Sequence, residues 1–117
     1  MVLPPLSSAI SSEQIEIMKI LLEAGASVYD EFGSVLTSAI YLTDNKDNRL
    51  AIVKELLKYL DLNNQDTDID NAMRYALELD DNEAIITELI NYMNDKQKAY
   101  DLLLKNAIKT GKSKQLN

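Results

Sequence analysis

Residues 15–28, Ile15-Glu16-Ile17-Met18-Lys19-Ile20-Leu21-Leu22-Glu23-Ala24-Gly25-Ala26-Ser27-Val28, decide how the rest of the chain is read. Ile15, Met18 and Leu22, flanked by Ile17 and Leu21, recur every three to four residues, the spacing that lays one apolar stripe along a helix and cannot alternate across a strand. Gly25 stands where a helix turns into the left-handed conformation at its C-terminus, and Ser11 with Gln14 makes a capping-box pair at the other end. A helix over about residues 12–24 follows. The same reading gives a second over 48–60, on Leu50, Val53 and Leu57 with Ile52 and Leu56. A third, over 82–94, rests on Ile85, Ile86, Leu89, Ile90 and Met93, with Asp80 and Glu83 as its capping box.

A shorter pattern lies between these helices. Leu6-Ser-Ser-Ala9-Ile10, Leu36-Thr-Ser-Ala39-Ile40, Met73-Arg-Tyr-Ala76-Leu77 and Leu104-Lys-Asn-Ala107-Ile108 share a large apolar residue, two intervening positions, then Ala and an aliphatic. The Ala anchors recur at roughly the 30–37-residue period of helix-pair solenoids. A small side chain there lets one helix approach its neighbour closely.

In these residues the chain resembles the ankyrin repeat family. Pro5-Leu6-Ser-Ser-Ala9 followed by Ile15 to Val28 is similar to that family's P-L-H-x-A and E-I-V-K-L-L-L-E-A-G-A-D-V runs, and Tyr29-Asp30-Glu31-Phe32-Gly33-Ser34 to its x-D-x-x-G-x hairpin. The match is strongest over residues 4–36. The second copy keeps Leu50 to Leu57 and carries extra residues around Thr43 to Asn48, the third has only a short link near Asn94 and Asp95, and the fourth is a single basic helix. The family's His is replaced by Ser7, Thr37, Arg74 and Lys105. The resemblance implies an all-α fold: a short ankyrin-like array of about three and a half helix pairs with one hairpin-like loop near 25–35. It forms a single domain over 1–110 with terminal helices over 1–11 and 96–110, and residues 111–117 are expected to be a flexible basic tail.

Composition narrows the chemistry. The 117 residues include no Cys, His or Trp, which removes zinc–thiolate sites, disulfides, thiol nucleophiles, imidazole bases and the Ser-His-Asp triad. The net charge of -7 is split: residues 1–95 carry 6 basic against 18 acidic side chains, and residues 96–117 carry 6 lysines against 1 aspartate, or -12 and +5. Such a body repels nucleic acid. With no basic, continuously apolar leader and no membrane-length apolar run, a soluble protein of the cytosol, its own or a host's, is expected.

Two short motifs suggest ion or phosphate sites and fail on spacing. Asp66-Thr-Asp68-Ile-Asp70 alternates carboxylates like a calcium loop, but Asn71 and Leu77 stand where Gly and Glu are needed, so a loop with Asp68 capping the next helix is expected. Gly111-Lys112-Ser113 lacks the P-loop's first Gly, which falls at Asn106. No enzyme, cofactor or metal is expected. Tyr59, Tyr92 and Tyr100 are expected in the core with their hydroxyls at the surface.

The expectation for function is a non-catalytic protein-binding module, a stoichiometric regulator or inhibitor whose acidic surface meets a basic patch on its partner. The alternative is a self-associating protein, its acidic body paired with the basic C-terminal helix of a second copy. Carried over from the resemblance, the contact residues are Tyr29, Glu31, Phe32 and Ser34 on the hairpin, Ser11, Tyr41 and Glu78 after the Ala of each inner helix, and Arg74 and Tyr75 beside them. Phe32 has two placements open to it: an exposed anchor at the tip, or a ring folded onto the adjacent repeat.

Overall fold

A computed structural model describes residues 5–30, 33–61, 63–79 and 82–110, with the side chains of Pro5, Asp30 and 106–110 outside that description. The elements in order are α1 (Pro5–Ser11), α2 (Ile15–Glu23), β1 (Tyr29–Asp30), β2 (Gly33–Ser34), α3 (Val35–Leu42), α4 (Lys46–Leu57), α5 (Gln65–Glu78), α6 (Glu83–Tyr92) and α7 (Lys96–Thr110). Helices α1, α3, α5 and α7 pack in a row, α2, α4 and α6 form a second row, and α1–α2, α3–α4 and α5–α6 pack as pairs between them. This is an all-helical array of three and a half pairs. Its one strand ladder, among the described residues, is a minimal antiparallel hairpin pairing Tyr29 with Ser34 and Asp30 with Gly33. The 47 × 30 × 23 Å envelope shows the elongation expected of stacked units.

The shared Ala positions explain the close packing of the first row. Ala9, Ala39 and Ala76 are buried; the aliphatic that follows each is buried as Ile10 and Ile40 and only partly buried as Leu77, which packs against the core. The second row contributes Met18 and Leu22, then Ile52, Val53, Leu56 and Leu57, then Ile85 and Leu89, making one continuous core.

The helix ends are closed differently from the expected capping boxes. Helix α2 ends with the Ala26 N–H donating to Leu21 O (2.9 Å) and the Gly25 N–H to Leu22 O (3.0 Å), with Gly25 at φ +97°, the left-handed cap the sequence indicates. Helix α1 ends in the same pair of bonds, Gln14 N–H to Ala9 O (2.8 Å) and Glu13 N–H to Ile10 O (3.0 Å), but with Glu13 at φ 57° in the glycine role. Ser11 is therefore the last residue of α1 and caps nothing; its hydroxyl donates to Ser8 O. Asp80 lies outside the described residues. The residue before α6 is Asn82, whose buried amide accepts from Arg49 Nη1 (2.8 Å) and donates to Ala76 O (3.1 Å) instead of capping α6. The extra residues of the second copy are held by the same Arg49, whose Nε and Nη2 donate to Thr43 O.

Three further expectations are corrected. Residues 66–70 are not a loop: they are the first turns of α5, and each carboxylate has its own task. Asp66 accepts from the Asn94 and Asp95 N–H groups (2.7 and 2.9 Å), closing the short link after α6. Asp68 accepts from the Tyr29 hydroxyl, and Asp70 faces Arg74 and Lys98. The fourth copy is misregistered by one residue. Leu104 is 61 % exposed, while Ala99, Leu102 and Leu103 are the wholly or partly buried positions, matching Ile69, Ala72 and Met73 at a spacing of 30. One residue is about 100° of helix, enough to turn Leu104 to solvent; the side chains of Ala107 and Ile108 lie outside the described residues. Of the three tyrosines expected in the core, Tyr59 and Tyr100 are exposed and only Tyr92 packs against it. The tail over 111–117 lies outside the described residues.

Candidate protein-binding face

The exposed side of the first helix row is built from positions spaced i, i+3/i+4, i+7. On α3 and its cap these are Ser34, Thr37, Ser38 and Tyr41, and on α5 they are Asn71, Arg74, Tyr75 and Glu78. Helix geometry puts each set on one stripe. Between the two stripes lies an open groove of about 400 Å³ lined by Ser34, Thr37, Ser38, Asn71, Arg74 and Tyr75. Small hydroxyl side chains make one wall, so the groove exists because the α3 stripe lacks bulk. At its end Tyr41 and Tyr75 meet edge to face, ring centroids 5.8 Å apart and planes at 80°, while both rings keep exposed surface. That geometry is favoured by the ring quadrupoles and holds the two aromatics as one unit.

Arg74 reaches over the groove from α5. Its Nε lies 3.7 Å from Asp70 Oδ1, and Lys98 Nζ of α7 lies 3.9 Å from Asp70 Oδ2. Both distances exceed those of a charge-assisted hydrogen bond, and the mostly buried Asp70 Oδ1 has no hydrogen-bond partner. Arg74 is thus attracted to Asp70 without being locked by it, and its guanidinium donors remain available to a ligand.

The expected contact residues separate into groups. Ser34, Tyr41, Arg74 and Tyr75 converge on the groove, and Glu78 continues the α5 stripe one turn beyond Arg74. Ser11 is exposed at the end of α1, away from the groove lining. Glu31 and Phe32 lie outside the described residues. Tyr29 is a tie within the fold: its hydroxyl donates to Asp68 Oδ2 (2.7 Å) and accepts from the Asp61 N–H (2.8 Å). Burial, and then the Asp68 carboxylate beside it, push the Tyr29 hydroxyl above its ordinary pKa of 10.0. Ser34 combines both roles, since its hydroxyl accepts from the Leu36 N–H (3.0 Å) as the cap of α3.

Sequence reading missed Thr37, Ser38 and Asn71 as lining residues. The signal was available: each lies three or four residues from a named position on the same helix. Chemically the lining offers hydroxyls, an amide and a guanidinium, which recognise polar groups. Among the described residues no three carboxylates converge to hold a metal ion, and no helix is long and apolar enough to cross a membrane. No protein-family model, curated protein or solved structure matches the chain.

Proposed function

We propose that the chain is a non-catalytic protein-binding module, acting as a stoichiometric regulator or inhibitor, and that its partner seats on the groove between α3 and α5. The observation that carries this reading is the gathering of Tyr41, Tyr75 and Arg74 at one exposed groove. Tyr and Arg are the residue types that dominate binding energy when a partner desolvates them, and the hydroxyl wall offers hydrogen bonds that fix register. The acidic body around the groove favours a partner with a basic patch, through faster and salt-dependent association. The ankyrin resemblance points to the same kind of use, because that family binds proteins through its inner helices and hairpins.

Affinity capture followed by titration of the purified captured protein tests the reading. The double variant Tyr41→Ala/Tyr75→Ala is expected to weaken binding by at least about tenfold, as loss of two central anchors should. Affinity should also fall as salt rises from low to physiological strength. A partner that binds wild type and the double variant equally, or is indifferent to salt, overturns the groove or the acidic surface respectively.

A further inference from the structure

Each helix of the second row carries two apolar pairs in the same order: Ile17/Leu21 and Met18/Leu22 in α2, Ile52/Leu56 and Val53/Leu57 in α4, Ile85/Leu89 and Ile86/Ile90 in α6. Their burial shows which way each pair faces. The first residue is 49 % exposed as Ile17, 0 % as Ile52 and 2 % as Ile85, the order expected if this pair packs on the preceding helix of the second row, which α2 lacks among the described residues. The second pair is buried in α2 and α4 and only partly in α6, which has no second-row helix after it among the described residues. Among the described residues, both ends of the row are therefore uncovered.

The two ends carry further apolar surface. Beside Ile17, α2 exposes Ile20, where α4 and α6 have Glu55 and Glu88 at the matching position. At the other end α7 exposes Tyr100 and Leu104. Lys98 points toward Asp70 of α5, and residues 100 and 104 are rotated about 200° and 240° from it, so they face away from the array. The ends also differ in charge. Residues 12–24 hold Glu13, Glu16 and Glu23 against Lys19, a net -2. In α7, Lys96 is held on the carbonyls of Ile90, Asn91 and Met93 and Lys98 is turned to Asp70, which leaves Lys105 and Lys109 against Asp101, a net +1.

We propose that copies of this chain associate end to end, the Ile17/Ile20 ridge of α2 on one copy seating against the Tyr100/Leu104 ridge of α7 on the next. The apolar ridges supply the adhesion and the opposite charges orient it. Because the two surfaces differ, the contact is heterologous and leaves one free end of each kind on every assembly that does not close into a ring. This goes beyond the groove and uses none of its residues.

Light scattering on size-separated samples over a concentration series at low and physiological salt tests it, with two variants, Ile17→Asp/Ile20→Asp and Tyr100→Asp/Leu104→Asp. Circular dichroism confirms that both remain helical. Wild type is expected to rise in mass with concentration, more at low salt. Each variant alone is expected to stay monomeric, and their mixture to form a 1:1 pair and nothing larger, since each retains one intact end. Tyr41→Ala/Tyr75→Ala should associate like wild type. A wild type that stays monomeric at high concentration and low salt overturns the proposal. So does either end variant still associating by itself, or a mixture that forms no pair.

Discussion

Tyr29 shows how a hydroxyl at an expected contact position can be committed within the fold. Its position at the hairpin suggests a ligand-facing ring, but its oxygen is committed to Asp68 and the Asp61 backbone. Tyr29→Phe keeps the ring and leaves a largely buried carboxylate without its donor, so unfolding in urea should show a loss of about 1–3 kcal/mol. The raised Tyr29 pKa has a definite sign. The folded state holds the neutral phenol more tightly than the unfolded chain, so this contribution is intact below about pH 10 and is lost as pH rises through the higher folded value. Wild type should therefore lose stability above pH 10 more steeply than Tyr29→Phe, as read from urea midpoints across that range.

At the scale of elements, the two matched helix ends make a controlled comparison. A Cβ at Gly25 would meet nothing within 4 Å, so Gly25→Ala tests backbone strain alone and should cost about 1 kcal/mol. Glu13→Gly relieves the same kind of strain at φ 57° while removing the acceptor of the Asn48 amide (2.8 Å), and should lie closer to neutral; thermal unfolding of both variants reads the difference. Helices α2, α4 and α6 were legible in the sequence because their apolar residues keep a period near 3.6. The start of α5 was not: Gln65, Asp66, Asp68 and Asp70 have loop-like composition, and they are helical because Tyr29, the Asn94–Asp95 backbone, Tyr92 O and Lys98 give them partners from distant parts of the chain. Ser11 misled for a related reason, since only Ser12, Glu13 and Gln14 separate α1 from α2 and the serine is still inside the first helix. The groove was half legible: the resemblance located Ser34, Tyr41, Arg74 and Tyr75, but Thr37, Ser38 and Asn71 are small polar residues whose place in the lining shows only once the helical spacing from those named positions is followed.

For the whole molecule, position along the array sets the value of a side chain. Ile52→Ala truncates a wholly buried side chain and should cost about 2–5 kcal/mol, whereas Ile17→Ala, at a matching but half-exposed position with no preceding second-row helix among the described residues, should cost well under half as much in the same denaturation series. Equal costs would mean that the α2 end is covered in solution. The Tyr29 tie spans 39 residues, from the hairpin of the first unit to the inner helix of the third. Stacked units held only by neighbour contacts tend to open one at a time from their ends. A bond of that reach makes fraying of one unit cost the next, so the phenol acts as a brake on stepwise opening, and amide exchange across α2 and α5 should change from concerted to separate when it is removed.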